Sequence, residues 1–344
     1  MANAMKERVL LTGGSGFVAS HVLDSLLAHG FSVVVTARSS EKGDAIIKSL
    51  DTKLQPHVTY EVVPDVSEDG AFDNVFQSGQ NFDFVIHTAS PYSFKVEDPV
   101  KDFLDPAIRG TTGMLKSIKA HAPSVKRVVI TSSSAAIINP WQHERVYDES
   151  KWAPFTWEDA LKPENAYPAS KKFMEKAAWE FMEKRNPAFD LATINNTYTF
   201  GPIQRQLPSL DAMNTSNLRI RDLVLGKMKE RLQPTFPVFT WVDVRDVALA
   251  HVRAMMAPEA GGKRFYVVAG HFSNKQLADC IRKSHVELEQ SLPSEDCADD
   301  LPEDVYQFDN SRSREMLGLE YRSLEVSIKD TVDSILEWQA KHTT

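Results

Sequence analysis

Over the first 200 residues of this 344-residue chain, short β-branched runs alternate with helical stretches, and that alternation constrains the fold more than any other feature. Strand-like runs fall at Val9–Thr12, Ser32–Thr36, Val58–Val63, Phe84–His87, Arg127–Thr131 and Leu191–Asn195. Between them lie Val18–His29 (with Val18, Val22 and Leu26 at helical spacing), Glu41–Leu50, a weaker Glu68–Ser78, Pro99–His121 and the long Tyr167–Arg185. The strands lack an in-out alternation, so both faces must be covered. Parallel strands joined by crossover helices meet that requirement. The expected fold is α/β, a doubly wound parallel sheet of the Rossmann type.

After Gly201-Pro202 the pattern loosens. Residues 203–238 read as polar and irregular, broken by Pro208, Pro234 and Pro237. A strand Phe239–Val242, a helix Val244–Met256 and a strand Arg264–Val268 follow. Helices Ser273–Ser284 and Ser323–Gln339 flank a Pro- and Asp-rich loop, Ser291–Asp304. We expect a dinucleotide-binding domain over 1–198, rejoined by 239–257, and a smaller, discontinuous substrate-binding lobe over 199–344.

Composition narrows the class of partner. Lys plus Arg number 39 and Asp plus Glu 47, a formal charge of −8. That balance argues against a nucleic acid or an anionic membrane surface, which select clustered basic residues. No apolar run approaches the roughly 18 residues of a membrane span, and Met1–Arg8 holds no apolar signal-peptide core. Cys280 and Cys297, the only cysteines, form neither a CxxC pair nor a disulfide framework, which fits a reducing cytoplasm. His21, His87, His143 and His251 lack metal-ligand spacing, so no metal is expected, and no GxSxG elbow marks a hydrolase.

Three segments carry chemistry. Thr12-Gly13-Gly14-Ser15-Gly16-Phe17-Val18-Ala19 sits at the first strand-to-helix junction, where glycines let the backbone approach a pyrophosphate met by helix N–H groups. An ordinary tight turn is the alternative, and the placement favours a dinucleotide. The second strand ends Thr36-Ala37-Arg38-Ser39-Ser40-Glu41-Lys42, with no acid at its tip. An acid there would bond a ribose 2′-hydroxyl. Arg38, with Lys42 as a weaker contact, suits a 2′-phosphate, which favours NADP(H).

Tyr167-Pro168-Ala169-Ser170-Lys171 opens the long helix, with Asn165 as the expected N-cap and Pro168 in the first turn. Lys171 shares a face with Tyr167, and its cation favours ionisation of a phenol whose ordinary pKa is about 10. The fifth strand ends in Thr131-Ser132-Ser133-Ser134, placing serine hydroxyls in the crevice where such sheets bind ligands. The basic cluster Arg219, Arg221, Lys227, Lys229 and Arg231 reads as a solvated helix face or a contact for an anionic substrate. Trp152, Phe155 and Trp157 read as loop packing.

Taken together, TGGSGFVA, HTASP (His87–Pro91), TSS (Thr131–Ser133), YPASKK (Tyr167–Lys172) and WVDVRDVA (Trp241–Ala248) resemble an extended short-chain dehydrogenase/reductase. The likeness spans nearly the whole chain. It is strongest to fungal NADPH-dependent methylglyoxal and carbonyl reductases, with plant dihydroflavonol 4-reductases as relatives. The resemblance implies Ser133, Tyr167 and Lys171 as the catalytic set. It also implies cofactor contacts from the glycine motif (Thr12 to Val18), Arg38, Lys42, Asp65, Val66, Thr88, Ala89, Ser90 and Asn196, besides Tyr167 and Lys171. Phe94, Ser133, Ile138 and Tyr198 would line the substrate pocket. Asn195-Asn196 departs from the family's Asn-Pro, and a small residue is commoner at Pro168.

The activity these readings imply is NADPH-dependent reduction of a small-molecule aldehyde or ketone, with Tyr167 as proton donor. Two rivals are a redox-neutral, NAD-dependent nucleotide-sugar epimerase or dehydratase and a non-catalytic NADP sensor. The first lacks its acid after the second strand, and the second has no use for an intact Ser-Tyr-Lys set. Monomer and homodimer are both left open.

Overall fold

The computed structural model describes residues 6–90 and 97–342. Its first half runs β1 (Lys6–Thr12), α1 (Phe17–Ala28), β2 (Phe31–Ala37), α2 (Ser40–Ser49), β3 (Val58–Val62), α3 (Asp73–Gln77), β4 (Phe84–His87) and α4 (Asp105–His121). Next come β5 (Arg127–Thr131), β6 (Val146–Tyr147), α5 (Trp157–Ala160), α6 (Pro163–Arg185), β7 (Asp190–Asn196) and β8 (Tyr198–Phe200). The remainder is α7 (Thr215–Val224), β9 (Thr240–Asp243), α8 (Val244–Met256), β10 (Lys263–Val267), β11 (Gly270–His271), α9 (Asn274–Ser284), β12 (Gln307–Phe308), α10 (Ser311–Leu317) and α11 (Leu324–His342).

Among the described residues, seven strands pair in the order β3-β2-β1-β4-β5-β7-β10, every neighbour parallel. This is the doubly wound sheet expected from the alternation. Successive strand residues point to opposite faces, and here both faces are dry. Val9 and Leu11 pack with Val22, Leu23 and Leu26 of α1 and with Val247, Ala250 and Ala254 of α8. Leu10, between them, packs on the other side with Met114, Leu115 and Ile118 of α4 and Met174, Ala178 and Phe181 of α6.

Strand order reverses between β1 and β4, so the crevice beyond their carboxyl ends is where such a sheet binds ligands. A second sheet, β11-β9-β8, and the helices α7, α9 and α11 enclose a separate apolar cluster that includes Phe200, Ile220, Trp241, Phe272, Ile281 and Val332. No helix among the described residues is long and apolar enough to cross a membrane.

Three local expectations need correction. Helix α6 starts at Pro163 with Lys162 as N-cap, a full turn before Tyr167, so Asn165 lies inside the first turn and Pro168 inside the helix. Proline has no N–H to return to the Glu164 carbonyl, which therefore loses its intrahelical donor. Helix α7 forms within 203–238, where a run without structure was expected. Only Asp73–Gln77 of the stretch 68–78 is helical. Ahead of α4, Val100–Leu104 forms a wider π turn, consistent with Pro106 having no N–H for a regular bond.

Candidate active site

Two cavities open at the carboxyl end of the sheet. One, of about 560 Å³, is lined by Gly13, Ser15, Gly16, Thr36, Ala37, Arg38, Lys42, Val63, Pro64, Asp65, Val66, Ser67, Thr88, Ala89, Ser90 and Pro106. The glycine turn makes this groove possible. Gly13 sits at φ +71°, and a β-carbon on it would lie 2.9 Å from Ala89 Cα. A β-carbon on Gly14 would lie 2.8 Å from Val35 Cβ. Thr36 holds the turn down, its hydroxyl accepting from Gly13 N–H at 3.1 Å and its carbonyl from Gly14 N–H at 2.9 Å.

Gly13→Ala should lose about 1–2 kcal/mol for the left-handed backbone alone, before the clash with Ala89 is counted. A lowered urea midpoint with an unchanged slope would show it. A midpoint equal to wild type would mean the turn relaxes freely.

Arg38 and Lys42 are both exposed on the wall of this groove, at the end of β2 and in the first turn of α2. Ser39 caps that helix, accepting from Lys42 N–H. Asp65 accepts from the Ser67 hydroxyl at 2.7 Å and the Ser67 N–H at 2.8 Å. Those bonds, with the more distant charges of Arg38 and Arg109, hold its carboxyl below the usual range. A glycine turn too tight for side chains, a carboxylate farther along and two cations over the end of β2 fit an NADP(H) adenosine half. Thr12, Gly14, Phe17 and Val18 stand behind the turn. Thr12 is buried and bonds His87 Nδ1 at 2.8 Å.

The second cavity, of about 450 Å³, brings Ser133, Ile138, Tyr167 and Tyr198 together. The other sequence-derived pocket residue, Phe94, lies outside the described residues. Ser133 begins a short 3₁₀ turn after β5, its hydroxyl accepting from Ala135 N–H at 3.1 Å. Tyr167 is 37% exposed, its ring edge-on to Phe103 with centroids 6.4 Å apart. Lys171 is buried, and its Nζ lies 5.8 Å from the Tyr167 ring centroid and donates to Ser90 Oγ at 3.0 Å. Burial pushes the Lys171 ammonium down to about 8, and the Glu175 charge pulls it partly back. His87, next to this group, is driven to about 3 by burial and then by the Lys171 charge, so it stays neutral.

Sequence reasoning missed several walls of this pocket: Pro140, Trp141, Glu164, Thr197, Thr215, Ser216, Pro237 and Val238. Trp141 and Phe236 are exposed and face each other at 6.3 Å. Neither follows a strand end, the only positional signal available. The basic cluster divides: Lys227, Lys229 and Arg231 are exposed, as a solvated face requires, whereas Arg221 and Arg219 are not. Arg221 is buried and paired with Asp211 and Asp222, at 2.8 and 2.7 Å. Arg219 stacks on Tyr198, 5.0 Å from its ring, and donates to the Tyr198 hydroxyl at 3.2 Å. It steadies a pocket residue. Trp152 does pack locally, under the Arg264 guanidinium at 3.7 Å.

Asn196 closes β7 outside both cavities, its Nδ2 donating to Thr199 Oγ1 at 2.9 Å. No group of His, Cys, Asp and Glu among the described residues could hold a metal ion.

Known proteins match this architecture along almost its full length. The NAD dependent epimerase/dehydratase family is matched over residues 9–269. The chain is 52% identical over 334 residues to the ketoreductase azaE of Aspergillus niger, covering 97% of this chain and 99% of that protein. It is 35% identical to the NADPH-dependent methylglyoxal reductase GRE2 of Saccharomyces cerevisiae, covering 97% and 99%. The crystal structure of yeast methylglyoxal/isovaleraldehyde reductase Gre2 complexed with NADPH superposes with a TM-score of 0.88, at 35% identity and the same coverage.

Proposed function

The chain belongs to the NAD dependent epimerase/dehydratase family of extended short-chain dehydrogenases/reductases, and from that premise we propose that its site reduces aldehydes and ketones to alcohols with NADPH. The observation that carries this reading is the single cavity shared by Ser133 and Tyr167, with Lys171 buried one helical turn behind Tyr167.

Bound in the groove beside Arg38, NADPH supplies the hydride. The protein does the rest. Ser133 donates to the carbonyl oxygen, orienting it and stabilising negative charge as it develops. Tyr167 gives its hydroxyl proton to that oxygen, and the Lys171 ammonium favours the phenolate left behind. In this reading 1–198, rejoined by 239–257, holds the cofactor, while 199–344 closes the pocket through Thr215, Ser216 and Val238. The protein works in the cytoplasm, where its two cysteines stay reduced.

Chemistry of the pocket wall selects the substrate. Among the described residues, Glu164 is the only charged lining residue, and none is Lys or Arg. A nucleotide sugar would bring a pyrophosphate to described walls that offer one carboxylate and no cation, so neutral, partly apolar carbonyl compounds are favoured. The test is initial-rate oxidation of NADPH and NADH with a small aldehyde, a diketone, a ketoester, an aryl ketone and a UDP-sugar. We expect turnover of the neutral carbonyls with NADPH, and no conversion of the sugar. Epimerisation of the sugar without net cofactor use would replace this reading.

A further inference from the structure

Beneath the catalytic helix lies a charged group that the reduction chemistry does not use directly. Glu175 is fully buried on α6, one turn beyond Lys171 and on the same face. Donors from two strands, from the segment just after β5 and from its own helix converge on its carboxylate. Ser132 Oγ donates at 2.5 Å, Thr193 Oγ1 at 3.0 Å, Asn195 Nδ2 at 2.7 Å, Arg264 Nε at 2.6 Å and Trp179 Nε1 at 3.3 Å. Asn195 also donates to the backbone carbonyl of Ser133 at 3.3 Å. Arg264 in turn donates to the carbonyls of Glu149 and Lys151, both at 2.7 Å.

A dry carboxylate would cost several kcal/mol if left unpaired. Packing alone would be served by a leucine. Satisfying this one takes side chains from β7 and β10 and the segment just after β5, and two of its donors adjoin or touch Ser133. The same carboxylate is the nearest opposite charge to Lys171, whose ammonium is otherwise buried against Ser90 and neutral His87.

We propose that Glu175 is a positioning residue for the catalytic set: it locks the Ser133 strand end to the Tyr167 helix and supplies the negative charge that keeps Lys171 an ammonium ion. The inference rests on the reductase reading for its consequence in turnover, and on the protein alone for the state of Lys171. Burial works against the Glu175 charge, but the Arg264 charge and the converging donors outweigh it and hold the carboxyl below its usual range. Among the described residues, the groups around Lys171 are Tyr167 and Glu175 on α6, His87 and Ser90 at the end of β4, and Arg264 on β10 behind Glu175. Of these, Glu175 is the anion.

The sign of the effect follows. Glu175→Gln keeps the shape and the bonds at one oxygen, loses those at the end its amide nitrogen occupies, and removes the charge, so Lys171 loses its proton at lower pH. Arg264→Met removes the cation paired with Glu175, so Lys171 keeps its proton as long as the four remaining donors hold Glu175 ionised. A purely structural network would make the two variants alike.

Lysine 13Cε NMR of the cofactor-free protein reads the Lys171 midpoint directly. Glu175→Gln should lower it by about 1–2 pH units, the usual effect of one nearby charge. Arg264→Met should leave it in place or raise it. At saturating NADPH the alkaline limb of kcat/KM for the carbonyl should move the same way in each. Should the single variant unfold around an unpaired Arg264, Glu175→Gln/Arg264→Gln removes both members of that pair and should still lower the midpoint. Midpoints equal to wild type in these variants, with both single variants losing thermal stability alike, would overturn the proposal. If wild type reduces no carbonyl, the reductase reading fails, while the NMR midpoints still decide the role of Glu175.

Discussion

In Tyr167→Phe, kcat for carbonyl reduction should fall roughly 10²–10⁴-fold, the usual contribution of a positioned proton donor. The ring is retained, so its edge-on contact with Phe103 survives and the pocket keeps its wall. Affinity for NADPH, read by quenching of protein fluorescence, should hardly move, because the groove beside Arg38 is untouched. Loss of kcat without loss of cofactor binding separates a proton donor from a packing residue. Wild-type kcat in the mutant would remove Tyr167 from the mechanism and favour an NADP sensor.

A second large effect is expected at the end of β2. Arg38→Asp removes the exposed cation on the groove wall and sets a carboxylate where a 2′-phosphate would lie. Each change should weaken NADPH by about 1–3 kcal/mol, so the KM for NADPH should rise at least roughly tenfold, while NADH use survives or improves. The ratio of kcat/KM for the two cofactors is the measurement. An unchanged ratio would mean that Lys42 or another cation reads the phosphate. Because Arg38 is at the surface and takes no part in the core, thermal stability should stay near wild type, within about 0.5 kcal/mol.

Much of the sheet could be read from local pattern because each parallel strand is a short apolar run closed by a turn. Val9–Thr12 and Phe84–His87 need no distant partner to be recognised. The start of α6 was harder. Asn165 looks like an N-cap, yet Pro163 at the first helical position and Lys162 before it begin the helix earlier. Helix α7 is short and lies between Pro208 and Pro234, and its apolar residues Ile220, Leu223 and Val224 pack in one cluster with α9, α11 and the small second sheet, not on the main sheet. Such a face gives no signal until those helices are in place. In the site, Ser133, Tyr167 and Lys171 stood in recognisable motifs. Trp141 and Glu164 did not, because only the path of the chain brings them to the same cavity. Glu175 is similar. Its partners Ser132, Thr193, Asn195 and Arg264 are ordinary residues in sequence, and their meaning appears only where three strands meet one helix.

The pairing of Glu175 with Arg264 also sets an order of events in making the protein. Their separation is 89 residues along the chain. A ribosome adding about 5–20 residues per second therefore exposes the acid on the order of ten seconds before its base emerges. Until then, desolvating Glu175 is unfavourable, so α6 cannot settle dry against β5 and β7. The catalytic face of the nascent chain should stay hydrated and loosely packed while β1 to β4 are already free to assemble. Nascent chains arrested before Arg264 leaves the exit tunnel should thus be cut by protease within 163–196, and longer ones protected there. Strand β10, the last of the main sheet in chain order, would then be the latch on the active site during biosynthesis.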